Sequence, residues 1–81
     1  MLKALLVDDE VNNLETLEFL IRHDCEGLEV AAKLQSAAAA RDWLQSNTAD
    51  VIFLDIAMPA ENGFQFLNSL PVHNFKVVFC Q

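Results

Sequence analysis

The apolar residues of this chain alternate between short continuous runs and stretches with helical spacing. The continuous runs lie at Leu2–Val7 and at residues 51–54 and 77–80. Runs of this length, rich in branched residues and bounded by polar residues, are typical of parallel strands that are covered on both faces. In residues 28–30 a glutamate interrupts a shorter apolar run, and this pattern favours an edge strand over a central one.

Three further stretches have the spacing of amphipathic helices. The apolar positions of the first are Val11, Leu14, Leu17 (or Glu18), Leu20 and Ile21. The second, residues 37–45, is rich in alanine, which has the strongest intrinsic preference for helix, and Ser36 is its candidate N-cap. Its residues Ala37, Ala40 and Leu44 are predicted to face the sheet.

The third helical stretch is short and lies between the last two apolar runs. Asn62 is its candidate N-cap, and it contains Phe64, Leu67 and Leu70. Pro71 ends it, because proline cannot continue a helix. The predicted order is therefore β-α-β-α-β-α-β. Since crossovers between parallel strands are right-handed, this order predicts a doubly wound α/β sheet.

Length and charge restrict what the chain can do. It has 81 residues, so we expect one small domain over residues 1–81. Its 5 Lys and Arg against 12 Asp and Glu, a net charge of −7, disfavour binding of nucleic acid by this segment. No apolar run approaches the roughly 20 residues of a membrane span, and the N-terminus lacks a signal-peptide cleavage site. We expect a soluble, acidic, cytoplasmic protein.

The cysteines and histidines have no spacing that is typical of a metal site. Cys25 and Cys80 stand far apart, and we expect free thiols, with Cys80 buried at the end of its apolar run. His23 and His73 are likewise isolated. All four are predicted to be structural or surface residues.

Acidic residues follow two of the predicted strands. Asp8, Asp9 and Glu10 follow the first strand, and Asp55 follows the third. In a doubly wound sheet, ligands bind beyond the carboxyl ends of the strands, so adjacent strands would bring these acids together. Their mutual repulsion is relieved by a hard cation such as Mg²⁺, which takes oxygen ligands at about 2.1 Å. If Asp8 and Asp9 only cap the first helix, Asp55 is left unexplained.

Asp55 has a second possible role beyond metal binding. A carboxylate beside a bound metal can attack a phosphoryl group and form an acyl phosphate. Asp55 suits this role because it ends a predicted buried strand. The loop that follows, residues 56–59, would leave its carboxylate open to a donor.

Three segments together resemble the receiver domain of two-component response regulators. They are Val-Asp-Asp-Glu at 7–10, Leu-Asp-Ile-Ala-Met-Pro at 54–59 and Asn-Gly at 62–63, and the resemblance runs from Met1 to about Phe79. It implies a flavodoxin-like sheet with strand order 2-1-3-4, incomplete after the fourth strand. Residues 12–17 and 54–59 are also similar to the branch whose output is a LytTR-type DNA-binding domain.

The resemblance implies a role for each matching residue. Asp55 becomes the phospho-acceptor and a metal ligand, and the partner is a sensor histidine kinase or a small phospho-donor. Asp9 becomes a direct Mg²⁺ ligand, Asp8 a ligand through water, and the backbone carbonyl of Ala57 a third protein contact. Supporting positions are Glu10, Met58, Pro59 and Gly63. For Met58, filling the core is an equally good explanation.

The resemblance breaks down near the end of the chain. The family has five strands and five helices, with a hydroxyl residue after the fourth strand and a lysine after the fifth. Gln81 stands at the hydroxyl position, the lysine has no counterpart, and Lys76 begins the fourth strand at the wrong end. We therefore expect Mg²⁺ binding with impaired switching. We also expect self-association through the exposed fourth strand.

Two other classes of function compete with a phospho-acceptor. One is an interaction or dimerisation module that is derived from a receiver domain and is not phosphorylated. The other is a hydrolase with an aspartyl-phosphate intermediate. Such enzymes commonly carry a second aspartate two residues after the first, where this chain has Ala57. The sequence therefore favours a signalling domain over an enzyme.

Overall fold

A computed structural model describes residues 1–70 and 74–80 of the chain. The predicted helix stop at Pro71, the isolated His73 and the substituted position Gln81 lie outside these residues. The predicted alternation of strands and helices is confirmed. The elements are β1 (Leu2–Val7), α1 (Val11–Asp24), β2 (Leu28–Leu34), α2 (Ala37–Leu44), β3 (Val51–Asp55), α3 (Gly63–Ser69) and β4 (Lys76–Cys80).

The four described strands form one parallel sheet in the order β2-β1-β3-β4, which confirms the predicted order. Val7 pairs with Leu34 on one side and with Leu54 on the other, and Asp55 pairs with Cys80. All four strands therefore end at the same level. This side of the sheet, the carboxyl edge, is where a doubly wound fold binds its ligands.

Successive side chains of β1 enter two different cores. Ala4 and Leu6 pack with α1 on one face of the sheet. Leu5 and Val7 pack on the other face, which α2 and α3 cover. This burial on both faces explains why β1 is a continuous apolar run in the sequence. The α1 core contains Ala4, Leu6, Leu14 and Ile21, and the α2–α3 core contains Leu5, Val7, Ala37, Ala40, Ile52, Leu54, Met58 and Phe66.

Strand β2 is an edge strand, as predicted, but it is longer than the predicted residues 28–30. It runs to Leu34 because its residues alternate, with Glu29, Ala31 and Lys33 exposed and their neighbours half-buried. Such alternation is typical of a strand with one solvated face. The pairing of β2 with β1 shifts by one residue between Ala4 and Leu5.

Helix α3 begins as predicted, but a different phenylalanine anchors it. Asn62 is its N-cap, and its side-chain oxygen accepts a hydrogen bond from the amide of Gln65. Phe66 is fully buried, whereas Phe64 is 52% exposed and lies against Phe79 of β4 with ring centroids 5.0 Å apart. The position of the cap sets which helical face meets the sheet, and apolar spacing alone does not show this in a seven-residue helix.

Arg41 of α2 joins the two helices that cover one face of the sheet. Its guanidinium donates to the Glu61 carboxylate and, at 2.7 Å, to the Ser69 hydroxyl. It also lies 5.7 Å from the centre of the buried Phe66 ring. We expect Arg41→Ala to lower the free energy of unfolding by about 1–2 kcal/mol in urea, through loss of the charged hydrogen bonds and the ring contact.

Arg22→Ala is the matched control for this prediction. Arg22 forms an exposed ion pair with Glu18 one helical turn away, and it contacts no aromatic ring of the described residues. A pair of this kind contributes little, so the loss of stability should be smaller. Equal losses for the two variants would contradict a bridging role for Arg41.

Candidate functional site

Three aspartates meet at the carboxyl edge of the sheet. One carboxylate oxygen from each of Asp8, Asp9 and Asp55 lies within 4.8 Å of the other two. Asp8 and Asp55 are only 7% and 8% exposed, whereas Asp9 is open to solvent. The sequence predicted this convergence because β1 and β3 are neighbours and end at the same level. Solvent-borne ions can reach the three aspartates from the side of Asp9.

The Asp8 side chain is held by its neighbours in the chain. Its amide donates to Leu34 O at 3.0 Å, which extends the β1–β2 ladder by one residue. Its Oδ1 accepts from the Glu10 amide at 2.9 Å, and its Oδ2 accepts from Asn13 Nδ2 at 3.4 Å. Burial raises the pKa of the Asp8 carboxyl, and the charges of Asp55 and Asp9 raise it further, against the lowering effect of both hydrogen bonds.

These contacts differ from those of a helix cap. Helix α1 has Glu10 as its N-cap residue, and no side-chain hydrogen bond caps its first turn. The Asp8 carboxylate instead accepts from the amide of Glu10 itself and from the side chain of Asn13. Capping of α1 therefore does not explain why two acids follow β1.

Asp55 has one constrained oxygen. Its Oδ1 accepts a hydrogen bond from the Ala57 amide at 3.0 Å. Within the described part of the chain, Oδ2 has no hydrogen-bond partner. Ala57 is exposed, and its amide orients the Asp55 carboxylate. The resemblance predicts that the carbonyl of the same residue contacts the metal. The arrangement leaves Oδ2 available for nucleophilic attack, and Oδ1 keeps a second lone pair that a cation can use.

The four supporting residues have different surroundings. Met58 is 5% exposed and packs in the α2–α3 core, so filling the core accounts for it. Glu10 and Pro59 are exposed. Gly63 begins α3 so close to the strand that a Cβ would lie 3.0 Å from the Asp55 backbone oxygen and 3.2 Å from Leu54 Cγ. These distances are tighter than ordinary van der Waals contact, so the close approach favours glycine there.

Two residues near the carboxyl edge were missed by sequence reasoning. Asn13 bonds to Asp8, and its place one helical turn after Glu10 is the signal that could have found it. Cys80 pairs with Asp55 across β3 and β4 and is half-buried, so the expected full burial of this free thiol is wrong. Partial burial raises the pKa of its thiol, and the charges of Asp8 and Asp55 raise it further.

A concavity lies at the opposite edge of the sheet. It has a volume of about 510 Å³ and is lined by the ends of α2 and α3 and by residues such as Ala49 and Phe75 that precede β3 and β4. Its charged lining residue, Arg41, is already engaged by Glu61 and Ser69. The aspartates are therefore the better candidate site.

In the described residues, no helix is both long and apolar enough to cross a membrane.

Known proteins resemble this chain in sequence over most of its length. The family model "Response regulator receiver domain" matches residues 4–80. The sensory transduction protein LytT of Bacillus anthracis is 36% identical over 70 residues, covering 86% of this chain and 28% of the relative. The protein-glutamate methylesterase/protein-glutamine glutaminase 2 of Syntrophomonas wolfei is 39% identical over 78 residues, covering 95% of this chain and 23% of the relative.

This chain spans only about a quarter of the length of these relatives, and their names describe different activities. The part that they share with this chain is the segment that the family model matches, residues 4–80. A solved response regulator receiver domain (CheY-like) from Methylobacillus flagellatus shares the fold, with a TM-score of 0.82 at 24% identity. The similarity covers 98% of this chain and 68% of that one.

The Asp8 carboxyl makes the stability of the metal-free protein depend on pH. Because folding raises the pKa of Asp8, its contribution is favourable below about 3.8, the usual value, and is lost as pH rises through the folded-state pKa. We expect Asp8→Asn to raise the free energy of unfolding at pH 7 without divalent cations, on the order of 1 kcal/mol. Urea unfolding across pH measures this.

The control is Glu26→Gln, which makes the same change in charge at an exposed position. If it stabilises the protein as much as Asp8→Asn does, the gain reflects net charge. Burial of the Asp8 charge and repulsion within the three aspartates would then be excluded as the cause.

Proposed function

This chain belongs to the response regulator receiver domain family, and on that premise we propose that Asp55 accepts a phosphoryl group. The donor is a sensor histidine kinase or a small phospho-donor, and Mg²⁺ binds beside the acceptor. Membership makes the chain a signalling module of two-component systems. The single observation that carries the finer proposal is the convergence of Asp8, Asp9 and Asp55 within 4.8 Å.

The donor set suits a hard divalent cation. The site offers carboxylate oxygens, which are the ligands that Mg²⁺ prefers. The ion pairs of the described residues involve Arg22, Lys33 and Arg41, and none of them reaches the three aspartates. In our proposal Asp9, Asp55 and the Ala57 carbonyl hold the ion directly and Asp8 holds it through water. The bound ion would neutralise charge on the transferred phosphoryl group.

The geometry of Asp55 supports its role as nucleophile. The Ala57 amide holds Oδ1, so Oδ2 is the oxygen that attacks phosphorus. The bond between phosphorus and the donor breaks as the new P–O bond forms, the bonding pair leaves with the donor, and the product is an acyl phosphate. Near-complete burial of Asp55 limits access to the open side of the site.

We expect phosphorylation to depend on Asp55 and on Mg²⁺. With acetyl phosphate as donor and intact-protein mass spectrometry as readout, the wild-type chain should gain one phosphoryl group. Asp55→Asn should abolish the gain, while Asp42→Asn, an exposed acid on α2, should leave it unchanged. Labelling of the Asp55→Asn variant to the wild-type extent would overturn the assignment.

Metal binding is measured separately from phosphorylation. Amide shifts of Asp9 and Asp55 during a Mg²⁺ titration report on the site directly. Trp43 is a poor reporter because it lies with Lys3 and Ser46 near the opposite edge of the sheet. Unchanged amide shifts at millimolar Mg²⁺ would remove the metal from the proposal.

The 81-residue segment on its own is proposed to switch poorly. The family's hydroxyl position falls on Gln81, and its lysine has no counterpart in these residues. Each hydrogen bond to a charged group contributes about 1.5–3 kcal/mol, so a phosphoryl group on Asp55 would be held less tightly. The segment would thus be phosphorylated on Asp55 without the full conformational change that phosphorylation causes in the family. Any DNA-binding output belongs to residues beyond this segment.

A second candidate function is self-association, and β4 favours it. The other edge strand, β2, exposes charged Glu29 and Lys33, which hinder strand pairing. Strand β4 instead exposes Val78 by 42% and Phe79 by 40%, and its outer backbone edge is unpaired among the described strands. We propose that a second copy of this chain pairs there.

We expect sedimentation analysis to show a dimer that strengthens with salt, because the net charge of −7 repels and salt screens it. Val78→Lys should give a monomer. Leu2→Lys, at the 59% exposed start of β1, is the control and should leave the dimer intact. A folded wild-type monomer at high concentration and high salt would contradict this candidate.

A further inference from the structure

We propose that the capping box of α3, formed by Asn62 and Gln65, is a positioning device for the phospho-acceptor. It holds the loop after Asp55, and through this loop the carboxylate, in the geometry that phosphoryl transfer needs. This inference rests on the proposed function of Asp55. Three successive contacts connect the capping box to the carboxylate.

The first contact orients the carboxylate itself. The Ala57 amide donates to Asp55 Oδ1 at 3.0 Å. A carboxylate can rotate about its terminal torsion at little cost, so this hydrogen bond decides which oxygen faces the open side. The orientation persists only while the peptide unit between Ile56 and Ala57 stays in place.

The second contact holds that peptide unit. The Gly63 amide donates to Ile56 O at 3.0 Å, and this carbonyl belongs to the same peptide as the Ala57 amide. A Cβ on Gly63 would meet the Asp55 backbone oxygen at 3.0 Å and Ile56 Cα at 3.3 Å. The start of α3 therefore lies directly against the loop, and a displacement of one moves the other.

The third contact fixes where α3 starts. Asn62 Oδ1 accepts from the Gln65 amide at 2.8 Å, and Gln65 Oε1 accepts from the Asn62 amide at 2.9 Å. A helix of seven residues is too short to be stable in isolation. Its capping box and the buried Phe66 therefore set the position of the Gly63 amide.

Helix α2 offers an equivalent cap without this connection. Ser36 Oγ accepts from the Ala39 amide at 3.0 Å at the start of an eight-residue helix. No described hydrogen bond joins Ser36 or Ala39 to residues 55–57. Loss of either cap should cost about 1 kcal/mol of stability. Only the loss of the α3 cap should disturb Asp55.

The test compares Asn62→Ala and Gln65→Ala with Ser36→Ala. Hydrogen exchange of the Ala57 amide, measured by NMR without metal, should accelerate about tenfold in the two α3 variants and stay unchanged in Ser36→Ala. Mg²⁺ affinity should fall about tenfold in the α3 variants alone. Asn62→Asp restores a capping oxygen and should return both values close to wild type.

Equal exchange at Ala57 in Asn62→Ala and Ser36→Ala would overturn the inference, and so would failure of Asn62→Asp to restore it. Gln65→Ala keeps the Asn62 cap and loses one hydrogen bond, so it remains informative if Asn62→Ala does not fold. Failure of the wild type to bind Mg²⁺ would count against the proposed function. The exchange measurement needs no metal, so it still decides whether the cap positions the loop.

Discussion

The carboxylates of Asp8 and Asp55 are held almost out of water on neighbouring strands, and the local structure is organised around them. Two nearly buried acids with a third within 4.8 Å repel one another, and the described residues offset this repulsion with hydrogen bonds. The Glu10 amide and Asn13 serve Asp8, and the Ala57 amide serves Asp55. Amide dipoles orient carboxylates but do not neutralise them, and in the described residues no Lys or Arg side chain pairs with the three aspartates.

The sheet supplies the rigidity that such an arrangement needs. Residues of β1 are buried on both faces, and the Asp8 amide continues the ladder to Leu34 beyond the end of the strand. The position of Asp8 is therefore set by the backbone. Asp55 ends β3 in the same way, paired with Cys80. The loop from Ile56 to Asn62 is held at Ile56 by the Gly63 amide and at Glu61 by Arg41.

Fold and site were predictable to different degrees along the chain. Strand β1 was located at both ends, because burial on two faces leaves a continuous apolar run with polar neighbours. Strand β2 was underestimated, because a one-sided edge strand with Glu29 and Lys33 in it resembles a polar segment. The sequence did not show which of Phe64 and Phe66 is buried, since the cap at Asn62 determines which of them faces the sheet.

Local patterns were enough to establish the alternation of strands and helices, the caps at Ser36 and Asn62, and the acids that follow two strands. These features depend on spacing along the chain, which a sequence displays directly. The packed fold was needed to show that Asn13 bonds to Asp8, that Cys80 lies beside Asp55, and that the start of α3 lies against the loop after Asp55. Such contacts depend on strand register and on helix position, which are set by how separate segments pack together.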